Sequence, residues 1–259
     1  MPKRTSRRRQ SVSILPSIFT TGNLFLGFAS LVTSILGHYE RAAALIYIAM
    51  LFDFVDGPLA RLTGSSSNFG VEYDSLADSL SFGVAPATLA YLYALSHYQR
   101  YGWVVAFLFA AGAALRLGRY NTSTKPGKAN TYFQGLSTPT ASGTLAGLVL
   151  LLDRYSIAAS TRAAIFFVAV PLLAALMVST LPYYSFKTMR LNRRQAFYAT
   201  ALIVLIFAAI AVEPTLILPA FFLLYALSGP VIWLVKPSRR KRREAQEKEQ
   251  KEASPPAQS

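Results

Sequence analysis

Residues Asp53 to Asp78 read D-F-V-D-G-P-L-A-R-L-T-G-S-S-S-N-F-G-V-E-Y-D-S-L-A-D. This stretch sets four carboxylates at the end of one apolar segment and the start of the next. A charged side chain in a bilayer costs at least ~2.5 kcal/mol, so acids in such places serve a function. Four of them brought together repel one another, and divalent cations among them relieve that repulsion. On a helix, Asp53, Asp56, Gly57 and Ala60 fall at i, i+3, i+4 and i+7, a single stripe. Asp74 and Asp78 stand four apart and share a face of the following helix. Gly57 and Ala60 leave room beside the acids, and Arg61 follows on roughly the same side as a cation for phosphate. The stretch reads as a metal-dependent phosphoryl site at a membrane surface.

Outward from this site the chain is built of long apolar blocks. Of its 259 residues 53% are hydrophobic and 15% charged, too apolar a balance for an ordinary soluble domain. Eight segments are candidates to span a membrane: Ile14 to Gly37, Ala42 to Leu59, Leu80 to Ser96, Trp103 to Leu117, Leu136 to Leu152, Ala163 to Leu181, Ala196 to Val212 and Leu216 to Val235. With the N-terminus inside, an even count puts both termini inside. The outer stretches then hold just Arg41, Arg100, Arg154 and Arg162, and the inner ones hold the other 22 of the 26 Lys and Arg. That is the positive-inside asymmetry. It places the acidic site on the cytoplasmic side of the cell membrane.

The net charge of +14 does not argue for nucleic acid, because the cations flank apolar segments. Anionic membrane lipids are their natural partner, at about 1 kcal/mol per cation near the surface. There is no cysteine, which removes disulfides, thiolate nucleophiles and cysteine-bound zinc. The basic start and apolar run at the N-terminus imitate a secretory signal. The run is long and carries Asn23, so it reads as the first membrane helix. Three regions follow: a basic arm over 1–13, a membrane catalytic domain over 14–235, and a basic, largely disordered tail over 236–259. Gly143 and Gly147 make a G-x-x-x-G that permits close helix packing.

The pattern D-x-x-D-G-x-x-A-R-x8-G-x3-D-x3-D, filled by Asp53, Asp56, Gly57, Ala60, Arg61, Gly70, Asp74 and Asp78, resembles the signature of the CDP-alcohol phosphotransferases. The resemblance implies an all-α membrane bundle of about eight helices, acting as a homodimer. It also implies transfer of a phosphatidyl group from a CDP-linked lipid to an alcohol, assisted by Mg²⁺ or Mn²⁺. Further matches point to the phosphatidylserine-forming branch of bacteria and archaea: L-P-S-I-F-T-T-G-N-L at Leu15 to Leu24, the run from Phe69 to Pro86, A-L-R-L-G-R-Y-N at Ala114 to Asn121, and F-Q-G-L-S-T-P-T-A-S-G at Phe133 to Gly143. The implied substrates are CDP-diacylglycerol and L-serine, and the implied products phosphatidylserine and CMP.

The roles carried over are these. Asp53, Asp56 and Asp74 hold one cation, and Asp74 with Asp78 a second. Asp78 also serves as the base. Gly57, Ala60, Arg61, Ser67, Gly70 and Asn23 contact the CDP-lipid. Serine adds a carboxylate that needs a cation, and Arg116 and Arg119 at the inner end of the fourth span are the candidates. His38 and His97 lie at the outer ends of spans, away from the acids. The phospholipase-D-like route to phosphatidylserine needs H-x-K pairs, which His38-Tyr39-Glu40 and His97-Tyr98-Gln99 do not supply. Two positions depart from the family: Pro58, which removes a helical hydrogen bond to the Phe54 carbonyl and should kink the helix, and Ser137, where a proline is expected. Competing readings are a sister enzyme using glycerol phosphate, inositol phosphate or choline, and a metal-ion transporter. A phosphorylated acceptor would want a larger basic cluster. An ion path requires neither the A-R pair nor the spaced glycines.

Overall fold

The computed structural model describes residues 14–62, 68–123, 132–184, 198, 204–205 and 208–235. The basic arm, the basic tail and Ser67 lie outside these residues, as does most of the expected span Ala196 to Val212. Eight α-helices organise the described chain: α1 (Ile14–Ile35), α2 (Tyr39–Leu62), α3 (Asn68–Asp78), α4 (Ala85–Tyr93), α5 (Gln99–Ser123), α6 (Thr138–Arg154), α7 (Ala159–Val178) and α8 (Pro214–Val235). A π-helical turn, Ser79–Val84, joins α3 to α4, and a 3₁₀ turn, Leu95–Tyr98, precedes α5. Among the described residues five helical stretches are long and apolar enough to cross a membrane: Ile18–Ile35, Tyr39–Leu59, Leu95–Thr122, Ala159–Val178 and Pro214–Trp233. These match five of the eight expected segments.

α1 packs along α2 through a stripe of small and polar residues. Thr20, Asn23, Ser30 and Ser34 are buried at spacings of three, seven and four, with Gly27 between them tight against Ser81 of the π turn. Small side chains let helix backbones approach where lipid offers no hydrophobic drive. Ser30 donates to the Ala42 carbonyl at 2.9 Å, so the stripe also fixes the sliding position of α1. The chain reverses between α1 and α2 at Gly37, whose φ of +80° suits glycine.

The G-x-x-x-G of α6 works inside the chain. A Cβ on Gly143 would meet the Phe222 ring at 2.9 Å, and one on Gly147 would meet Pro219 Cα at 2.8 Å, so α8 lies directly on this face. Tyr47 of α2 donates to the Gly143 carbonyl at 2.7 Å, tying a third helix to the same spot. The apolar core lies between α4, α5, α6 and α7, around Leu89, Phe109, Leu145, Phe166, Val170 and Met177. At the end remote from the acids, Arg154 of α6 pairs with Glu213, just before α8. Hydrogen bonds from Thr215 and Arg154 hold the Glu213 carboxyl below the usual range.

A two-stranded antiparallel ribbon, β1 (Tyr132–Gln134) with β2 (Pro182–Tyr184), lies just before the start of α6 and just after the end of α7. Gly135 follows β1 with φ +78°. A Cβ there would meet the Ser179 carbonyl at 2.7 Å. Ser137, where a proline was expected, is the N-cap of α6, accepting from the Thr140 N–H at 3.3 Å. α2 runs as one helix from Tyr39 through Pro58 to Leu62. α5 extends beyond the expected span end at Leu117 to Ser123, so Tyr120 and Asn121 belong to it. Asn121 donates to Ser75 of α3 at 2.9 Å, which holds that last turn in place despite its poor helix formers.

Candidate active site

The acids meet because the end of α2 and the whole of α3 follow closely in sequence and bring their carboxylates together. Asp53 from α2 and Asp74 and Asp78 from α3 each offer a carboxylate oxygen, and these lie within 4.8 Å of one another. The i, i+4 spacing on α3 puts its two acids one above the other toward α2. Asp56 stands one turn beyond Asp53. It is 6% exposed, and its Oδ2 accepts a hydrogen bond from Thr20 of α1. Asp53, Asp74 and Asp78 thus form the tightest set, and Asp56, with Oδ2 taken by Thr20 of α1, stands beside it.

Asp78 accepts from Asn23 Nδ2 at 3.0 Å. Asn23 is fully buried, with its amide turned to the acid. Asp74 and Asp78 belong to α3, outside the five spanning stretches. Burial first, and Asp56 second, push the Asp74 carboxyl up to about 6. Asp78 is raised by burial, then by Asp53 and Asp74, while Asn23 and Arg116 pull the other way. Asp56 Oδ1 and Asp74 Oδ1 are buried with no hydrogen-bond partner among the described residues. Hard, close-set carboxylate oxygens with unspent lone pairs are the donor set that Mg²⁺ or Mn²⁺ takes. Asp53, Asp74 and Asp78 could hold such an ion, with Asp56 at its edge.

The two arginines part company. Arg119 donates to the Val178 carbonyl at 2.9 Å and the Ser179 carbonyl at 3.2 Å. It caps the C-terminus of α7, where a cation meets unpaired carbonyls and the negative end of the helix dipole. Arg116 points into the bundle. It donates to Thr138 Oγ1 at 3.0 Å, lies within electrostatic reach of Asp78, and keeps a buried Nε without a partner among the described residues. Gly57 is exposed and Gly70 half-buried beside the acids. Ala60 and Arg61 belong to the last turns of α2; their side chains, and Ser67 entirely, lie outside the described residues.

Residues that motif reading misses complete the wall. Thr20 is one, signalled in sequence by its place three before Asn23 on the polar stripe. Thr138 is another, the first residue of α6 and the partner of Arg116. On the far side, His38 stands immediately before the first residue of α2, whereas Asp53 lies in the second half of that helix. Several helical turns therefore separate this histidine from the acids.

Comparison with known proteins identifies the family. Residues 13–181 match the family described as CDP-alcohol phosphatidyltransferase. A CDP-diacylglycerol–serine O-phosphatidyltransferase of Helicobacter pylori (strain ATCC 700392 / 26695) is 34% identical over 222 residues, 85% of this chain and 91% of the relative. The enzyme of that name from Mycobacterium leprae (strain TN) is 31% identical over 229 residues, 87% of this chain and 76% of the relative. An archaetidylserine synthase of Methanothermobacter thermautotrophicus is 37% identical over 171 residues, 65% of this chain and 69% of the relative. With the acids of its signature gathered at the α2–α3 junction of an all-helical membrane bundle, the chain belongs to the CDP-alcohol phosphatidyltransferase family.

Proposed function

We propose that the protein transfers the phosphatidyl group of CDP-diacylglycerol to the hydroxyl of L-serine, releasing phosphatidylserine and CMP. The observation that carries this is the pairing of the Asp53–Asp74–Asp78 cluster with one buried arginine, Arg116, whose Nε is unspent. The cluster suits a pyrophosphate. Arg116 is the buried cation beside it among the described residues, and one guanidinium suits an acceptor with a single carboxylate better than one with a phosphate. The relatives that carry serine in their names support the same reading.

When bound, a divalent cation would offset the charge of the pyrophosphate and of the departing CMP. The protein's own groups do the rest. Arg61 neutralises the nucleotide phosphate, with Gly57, Ala60, Gly70 and Ser67 along the donor. Arg116, held by Thr138, fixes the serine carboxylate so that its hydroxyl faces the phosphatidyl phosphorus. That oxygen forms the new P–O bond as Asp78 accepts its proton, and the bond from phosphorus to the bridging oxygen breaks, its electron pair leaving with CMP. The displacement is direct, without an enzyme-bound lipid. Two ions, a homodimer, a domain over 14–235 between basic terminal arms, and a site on the cytoplasmic face of the cell membrane complete the proposal. The charge distribution along the sequence supports the orientation.

The test is CMP release from CDP-diacylglycerol by purified protein with serine, glycerol phosphate, inositol phosphate or choline as acceptor. Serine-dependent release is expected. Release with another acceptor instead moves the protein to a sister activity, and no release with any acceptor removes the transferase reading.

A further inference from the structure

Two of the site's acids are gripped from a helix that carries no acid of its own, and this concerns how the proposed transfer is set up. We infer that Thr20 and Asn23 of α1 are positioning residues, each fixing one carboxylate so that its remaining lone pairs face the cation and the acceptor. Thr20 donates to Oδ2 of Asp56, leaving Oδ1 of that acid buried and unspent. Asn23 donates to Oδ1 of Asp78 at 3.0 Å. The two residues stand three apart and share a helix face, matching one acid from α2 and one from α3.

The grip is itself anchored. Ser81 of the π turn donates to the backbone carbonyl of Asn23 at 2.9 Å, and Gly27 one turn further along brings the two backbones together. Thr21 adds a third tie on the same stretch, 3.0 Å from the Tyr73 hydroxyl. α1 thus touches α3 at Tyr73 and Asp78 and the π turn at Ser81. Groups that hydrogen-bond ligating carboxylates orient them, and their loss typically costs about 10- to 100-fold in metal affinity or activity.

The inference rests on the phosphatidyl-transfer reading, and the experiment separates the two. Thr20→Val keeps the shape and removes the hydroxyl, Thr20→Ser keeps the hydroxyl, and Asn23→Ala removes the amide. Thr33→Val is the control on the same helix, since Thr33 donates to its own Ala29 carbonyl at 2.6 Å. Mn²⁺ binding is followed by electron paramagnetic resonance in purified protein without substrates, and serine-dependent CMP release gives kcat and KM. Thr20→Val should weaken Mn²⁺ binding by about tenfold or more, Thr20→Ser should restore it, and Thr33→Val should match wild type. Asn23→Ala should lower kcat by about tenfold or more with the KM for CDP-diacylglycerol within about twofold. Wild-type Mn²⁺ affinity in Thr20→Val would overturn the role of Thr20. A raised KM for CDP-diacylglycerol with unchanged kcat in Asn23→Ala would overturn that of Asn23 and make it a donor ligand. A wild-type protein without CMP release would instead defeat the transferase reading, while the Mn²⁺ measurement still reports on Thr20.

Discussion

Replacing Arg116 and Arg119 by glutamine, one at a time, separates two residues that look equivalent in sequence. Arg116 has one hydrogen bond, to Thr138, and a buried Nε with nothing to bind among the described residues. Arg119 spends its guanidinium on the Val178 and Ser179 carbonyls. If Arg116 receives the serine carboxylate, Arg116→Gln loses a charge-assisted hydrogen bond of about 1.5–3 kcal/mol, which is about tenfold to 150-fold in affinity. The KM for serine should rise by that factor, while the KM for CDP-diacylglycerol stays within about twofold, since the proposed reading gives the donor to Arg61 and the carboxylates. Ethanolamine, which lacks the carboxylate, should gain ground against serine in the variant. Arg119→Gln should behave oppositely, lowering the thermal unfolding temperature as the α7 cap is lost, with serine KM unchanged. The assay is CMP release at varied serine and fixed CDP-diacylglycerol, alongside thermal unfolding in detergent. Unchanged serine KM in Arg116→Gln, or a large rise in Arg119→Gln, would refute the assignment.

Asp78→Asn should abolish transfer and leave CDP-diacylglycerol binding largely intact, measured by equilibrium binding; turnover near wild type would remove Asp78 from the role of base. Asp53→Ala should lose both Mn²⁺ and CDP-lipid binding, since one carboxylate of the close set is gone. Chelation should silence the wild type and added Mg²⁺ or Mn²⁺ should revive it, whereas full activity after exhaustive chelation would exclude the metal. Gly147→Val should destabilise the bundle by about 1–3 kcal/mol through overpacking against Pro219, read as a lower unfolding temperature with the KM values unchanged. Steady-state kinetics should be sequential, and a lipid–enzyme adduct trapped without serine would contradict direct displacement.

Much of the site was legible because its four acids sit in one short stretch, Asp53 to Asp78, and helix periodicity alone puts them on facing surfaces. The family resemblance then supplied the reaction class. What escaped depends on partners far along the chain. Thr20 and Asp56 are 36 residues apart, Asn23 and Asp78 are 55, and Arg119 and Val178 are 59. A threonine or asparagine in an apolar helix has several uses, and the neighbouring helix selects among them. The end of α5 escaped for a related reason. Gly118, Tyr120, Asn121 and Thr122 are weak helix formers, so their sequence reads as a loop, and the contact with Ser75 overrides that preference. The polar stripe of α1 emerges only from the packing, since nothing local says which helix Thr20, Asn23, Ser30 and Ser34 face.

The π turn from Ser79 to Val84 starts at the residue after Asp78. There the Ala85 N–H reaches back five residues to the Leu80 carbonyl, and Ser142 of α6 donates to the Phe82 carbonyl. A π turn accommodates a residue more than the α-helix it interrupts, and one residue is worth about 100° of rotation. The acid-bearing α3 and the core-building α4 are therefore set at different phases on what is otherwise one rod. Each face can answer to its own neighbours, α3 to the acids of α2 and α4 to the packed core. Deleting a single residue between Ser79 and Val84 would restore a uniform helix and force a choice: either the core keeps its apolar stripe and Asp74 and Asp78 swing away from Asp53, or the acids stay and the stripe turns outward. The turn works as a gear step between chemistry and packing, and so length in this short stretch should be less tolerant of change than the identity of its side chains.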